Sequence, residues 1–162
     1  MNTPDSPPTF SLPTKAQIKS ILRFLPAFGH PTEPPSDWEQ TAPEKFTYRG
    51  TTGEAAALQS ALHKEGFNHV GFPYMQWLDA GGRRYMKTPK LIATADLLTL
   101  CRIITVHLRG ERFCWGYFSS LLSNGQMAAI LQRLAAIYSE MDEGIKASDP
   151  DSSDSDSNQF SG

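Results

Sequence analysis

Pro89-Lys-Leu-Ile-Ala-Thr-Ala-Asp-Leu-Leu-Thr-Leu-Cys-Arg-Ile-Ile-Thr-Val-His-Leu108 is the stretch that sets the architecture. Leu91, Ile92, Leu97, Leu98, Leu100, Cys101, Ile103, Ile104 and Leu108 spread apolar surface over most faces of a helix. A helix that is hydrophobic nearly all round is one that other elements cover. Thr88-Pro89 supplies a start, a capping hydroxyl followed by proline at the first helical position. Gly110 is expected to interrupt the segment soon after Leu108.

Outward from this segment the chain keeps a helical period. Residues 113–122 read as a further helix, and Asn124-Gly125 as a turn. Met127, Ile130, Leu131, Leu134, Ile137, Tyr138 and Met141 then mark one face of an amphipathic helix that Gly144 ends. On the N-terminal side, Thr14 and Gln17 have the spacing of a capping box before Ile18, Ile21, Leu22 and Leu25. Residues 31–52 form a Pro-rich arm or loop in which Phe46-Thr-Tyr-Arg49 supports one short extended piece. An alanine-rich helix over 54–65 ends at Gly66, and a short helix over 75–78 carries Trp77 inward before Gly81-Gly82. The expected fold is all-α, a compact bundle of five or six helices around a long buried central one. A single domain spans 14–147. Residues 1–13 and the acidic Ser/Asp tail 148–162 are expected to be disordered, because neither buries enough apolar surface to offset ordering entropy.

A chain of 162 residues with 40% apolar and 20% charged residues has the composition of a soluble protein with its own core. No apolar run is long enough to span a membrane, and the first residues lack a basic start and an apolar stretch. Cys101 and Cys114 make no disulfide framework, so a reduced, cytoplasmic setting is expected. The net charge of −2 hides an asymmetry. Asp149, Asp151, Asp154 and Asp156 carry four uncompensated negative charges, and without them the body stands at +2. That balance is far from the strongly basic one of a dedicated nucleic-acid-binding domain.

Two stretches have the chemistry of recognition. In Arg109-Gly-Glu-Arg-Phe-Cys-Trp-Gly-Tyr117, Arg109, Glu111, Arg112, Trp115 and Tyr117 mix guanidiniums with large rings, as the energetic centres of protein interfaces do. The same arginines also suit a structural role, pairing with Glu111, Asp96 or Asp79 at a helix crossing. The connector 81–90 offers Arg83, Arg84, Tyr85, Lys87 and Lys90, suited to a nucleic-acid strand or an acidic partner, or simply to a solvated loop. Cys114 near a helix start, with Arg112 and His107 nearby in sequence, is the one nucleophile candidate; a packing thiol is the commoner use. The four histidines lack metal-ligand spacing, so neither a metal nor a cofactor is expected.

The order of an apolar helix, Thr105, Arg109-Gly-Glu-Arg-Phe-Cys-Trp-Gly116, Gly125 and Ile130-Leu-Gln-Arg-Leu134 resembles an uncharacterised bacterial family classed as a domain of unknown function. Gly66-Phe67 and the Phe72, Trp77 pair fit the same family, which spans 54–140 here. Pro73-Tyr74 and the basic 81–90 connector depart from its pattern. The resemblance implies a fold and no activity. The expectation is a small, non-enzymatic bacterial or mobile-element protein that binds a protein partner as an adaptor, regulator or inhibitor, including inhibition of a host defence complex. Nucleic-acid association through Arg83–Lys90 is the first alternative, and a cysteine-dependent enzyme using Cys114 the second.

Overall fold

The computed structural model describes residues 10–32, 38–48 and 53–147. The expected disorder of the acidic tail and of residues 1–9 lies outside that range. The architecture is all-α with one small hairpin. In order come α1 (Lys15–Leu22), α2 (Leu25–Phe28), β1 (Trp38–Ala42), β2 (Lys45–Tyr48), α3 (Gly53–Lys64) and α4 (Tyr74–Trp77). A wide π turn (Leu78–Gly82), α5 (Arg83–Lys87) and a 3-10 turn (Pro89–Thr94) lead to α6 (Leu97–Phe113), α7 (Tyr117–Ser123) and α8 (Gln126–Ala147).

Helix α1 begins as its capping box dictates. The Thr14 amide donates to Gln17 Oε1 at 2.8 Å, and the Gln17 amide donates to Thr14 Oγ1 at 3.2 Å. The folded body extends N-terminal of Thr14: Pro13 is buried and Phe10 packs on the core, so the expected disorder does not reach these residues. Residues 38–48 pair as an antiparallel hairpin with Trp38 opposite Tyr48 and a bulge between Gln40 and Ala42, where one short extended piece was expected.

The long apolar segment is broken in a way its periodicity conceals. Residues 89–94 form the 3-10 turn, Ala95 is extended, and α6 starts only at Leu97. Asp96 sets that start, its carboxylate accepting the Thr99 amide at 2.8 Å. These hydrogen bonds from Thr99 hold the Asp96 carboxyl below its ordinary pKa, with the nearby Arg102 and Arg133 acting in the same direction. Arg133 of α8 ties down the junction, its Nε donating to the Ala95 carbonyl at 2.7 Å.

At the other end α6 runs straight through Gly110, where an interruption was expected. Leu100, Cys101, Ile103, Ile104 and Leu108 give it the buried, central position, and α8 packs against α1, α2, the 3-10 turn, α6 and α7. Leu131 and Leu134 of α8 join Ile18, Ile21, Leu58, Leu62 and Phe67 in one core.

Candidate functional site

The C-terminal half of α6 is where the fold brings recognition chemistry to the surface. Arg102, Val106, Arg109 and Phe113 recur at helical spacing and share one face. Opposite that face runs the segment 69–77, held against the helix by buried Thr105. Its hydroxyl accepts the His69 amide at 2.8 Å and donates to the Cys101 carbonyl at 2.7 Å. The His69 ring stacks between Phe10 (4.1 Å) and Phe72 (5.0 Å), and burial and Arg102 lower its pKa. Trp77 meets Phe72 edge-on and lies parallel to Tyr85 at 6.2 Å. Gly82 permits this, because a Cβ there would sit 2.6 Å from the Trp77 ring.

The Thr105 hydroxyl is therefore the pin of the segment. Replacing it by valine keeps the shape but leaves the His69 N–H without its acceptor. The expected cost is about 1–2 kcal/mol, measured by denaturant unfolding, with faster exchange of the His69 amide. An unchanged stability and exchange rate would show that the segment is held by its rings alone.

Two guanidiniums of α6 lie over rings of this segment. Arg102 sits 5.5 Å from the Phe72 centroid and Arg109 4.9 Å from the Tyr74 centroid. The Nε of each is buried without a hydrogen-bond partner, and neither arginine is ion-paired among the described residues. Beyond them the surface turns apolar. Phe113 is 80% exposed, Trp115 66% and Met75 51%. A groove of about 380 Å³ lies between the segment and α6, lined by Phe72, Pro73, Tyr74, Met75, Gln76 and Arg109.

The candidate residues of the 109–117 stretch thus divide by role. Arg109 lines the groove, while Arg112 and Trp115 are exposed at the end of α6 and just beyond it. Glu111 instead caps α7, its carboxylate accepting the Phe118 amide at 2.7 Å. Tyr117 turns inward, its hydroxyl 2.9 Å from His107 Nδ1 and its ring laid on Gly110. Phe113 was expected to open a helix and is instead the last residue of α6; the chain reverses through left-handed Gly116. Cys114, expected near a helix start, is the C-cap of α6 and exposed. That end of the helix dipole disfavours a thiolate. His107 lies inside the core with Tyr117 on its Nδ1, and among the described residues no hydrogen bond joins it to Cys114.

Sequence reasoning missed the buried polar relay behind this surface. Tyr117 meets His107, the Gln126 side chain lies on the imidazole's other side, and Gln126 Nε2 donates to the Met86 carbonyl at 2.9 Å. Gln126 opposes the effect of burial on the imidazole, but His107 Nε2 and Gln126 Oε1 fall short of a well-aligned hydrogen bond. Burial dominates and pushes the His107 pKa down to about 4. Burial, then the neighbouring Cys114, raises that of Tyr117, so its hydroxyl stays neutral.

The basic connector is not a loop. Arg83, Arg84, Tyr85 and Lys87 form α5, and Lys90 belongs to the following 3-10 turn. Arg83 pairs with Asp79 at 3.0 Å, and the Tyr85 ring is engaged by Trp77 and by the Arg84 guanidinium at 5.0 Å. Among the described residues no cluster of metal-ligating side chains occurs, and no helix is long and apolar enough to cross a membrane.

The fold and this surface define an all-α domain with an aromatic and arginine-bearing corner. The chain belongs to the family of unknown function DUF6508, which matches residues 13–140. No curated protein and no solved structure matches the chain.

Proposed function

We propose that this is a small, non-enzymatic bacterial protein of the cytoplasm that binds a protein partner through the corner formed by α6 and residues 71–76, as an adaptor, regulator or inhibitor. One observation carries the reading: Phe113, one turn on from Arg109, and Met75, next to Tyr74, stand more than half exposed beside the Arg109–Tyr74 pair. Large rings beside arginine are the side chains from which interface hot spots are built. Clustered exposed apolar side chains mark interaction surfaces far more often than isolated ones do. The nucleic-acid alternative draws less support, because Tyr85 and Arg83 are already engaged within the fold.

Photocrosslinking tests the assignment. Benzoylphenylalanine in place of Phe113 is expected to give a discrete protein adduct in cells of the source organism, and the same probe in place of Lys87 none. Adducts with nucleic acid from position 87, and no protein adduct from 113, would move the function to the connector.

A further inference from the structure

The groove beside Arg109 has a chemistry that specifies part of its occupant. We propose that it receives an acidic residue of the partner protein, an Asp or Glu carboxylate bound by Arg109, with a neighbouring apolar side chain of the partner seated against Phe113 and Met75. The inference rests on the protein-binding reading of this corner and adds the kind of segment that fits it.

Charge is the first argument. The groove is lined by one cation and no carboxylate. Arg102 stands two turns back on the same face of α6, and exposed Arg112 follows Arg109 by three residues on the same helix. A partner with basic residues is repelled here, and an acidic one is drawn in.

The state of Arg109 is the second. Its guanidinium lies over the Tyr74 ring, and its Nε is buried and unpartnered. Partial burial has already removed some of its water, so the unmet donor costs free energy in the unbound protein. The terminal nitrogens of Arg109, unlike Nε, are not buried, and a carboxylate in the groove can take two parallel hydrogen bonds from them, which neither a carbonyl nor a hydroxyl reproduces. The Tyr74 ring beneath holds the guanidinium in place, and the Thr105 pin holds the segment that carries the ring, so the donors are positioned before the partner arrives.

The apolar rim is the third. Phe113 follows Arg109 by one helical turn, and Met75 follows Tyr74 directly. Both are more than half exposed. A short segment that places its carboxylate on Arg109 brings its adjacent side chains onto these two residues. The occupant is therefore an acidic residue next to a Leu, Phe or similar side chain.

Selection of random twelve-residue peptides displayed on phage, against the full chain, tests this. Enriched peptides are expected to carry Asp or Glu within two positions of a large apolar residue. A synthetic copy should lose about tenfold or more in affinity when its acid becomes the amide, and equally on Arg109→Gln, with Arg109→Lys restoring only part. The amide peptide is measured on the unaltered chain, so a poorly folded Arg109→Gln leaves the test intact. Peptides that bind as well in the amide form, yet fail on Phe113→Ser, would overturn the acidic occupant and leave the protein-binding corner standing. Peptides indifferent to both Arg109→Gln and Phe113→Ser, or displaced by an oligonucleotide that fails on Arg83→Glu, would overturn both.

Discussion

Acidification from about pH 7.5 to pH 5 is expected to remove about 2 kcal/mol of stability through His107 alone. The imidazole sits in the core with its Nδ1 facing the Tyr117 hydroxyl, and burial holds its pKa at about 4. In the unfolded chain it titrates near its ordinary value of 6.5. Between those two values the unfolded state binds a proton that the native state refuses, so stability falls as pH falls. The contribution is complete above about pH 6.5 and lost as pH drops through about 4, on the order of 3 kcal/mol in all. The Tyr117 hydroxyl can pair with Nδ1 as donor or as acceptor, so what a second ring proton costs is a charge held in the core. His107→Gln removes the titration while keeping an acceptor for Tyr117. Its stability should decline with pH about one proton less steeply than the parent's across this window. Parallel curves for the two proteins would show that His107 is not protected from protonation.

The relay also shows where sequence reading stops. The capping box at Thr14 and the amphipathic face of α8 depend on residues three or four apart, and spacing alone reveals them. Asp96 was equally legible as a cap, a carboxylate three residues before Thr99, but the apolar residues on both sides of it outweighed that local signal. The hairpin was harder, because the bond between 38–42 and 45–48 joins two weak strands that signal only as a pair. Periodicity cannot say which partner lies across a helix. Nor can composition: the mix of side chains in 109–117 groups Arg109, Glu111, Arg112, Trp115 and Tyr117 as one surface, whereas tertiary contacts turn Glu111 to the Phe118 amide and Tyr117 to His107. The pattern of residues 113–122 reads as a helix that begins at Phe113. In the structure Phe113 ends α6 instead and is, among the described residues, the most exposed large apolar one.

Gly110 is the residue on which that difference turns, and its replacement should reverse the usual rule of helix propensity. In an ordinary helix interior, glycine to alanine stabilises by about 1 kcal/mol. Here a Cβ would lie 2.6 Å from Cε1 and 2.7 Å from Cδ1 of the Tyr117 ring. That ring cannot simply swing away. Its hydroxyl is bonded to His107, and its backbone begins α7 immediately after the left-handed Gly116. Relief requires α7 to shift or the tyrosine to abandon the imidazole. Overpacking of this kind costs about 1–3 kcal/mol, with a further 1–2 kcal/mol where a buried hydrogen bond breaks. Gly110→Ala is therefore expected to destabilise the domain by about 2 kcal/mol net of the propensity gain. The sign should invert once the ring is gone. In a Tyr117→Ala background, adding Gly110→Ala should be neutral or stabilising by up to about 1 kcal/mol, giving a coupling near 2–3 kcal/mol between the two positions. Denaturant unfolding of the four proteins supplies the cycle. If Gly110→Ala stabilised the parent as well, the helix would not be held to the tyrosine, and the corner that presents Arg109 and Phe113 would lack the fixed geometry on which its proposed binding depends.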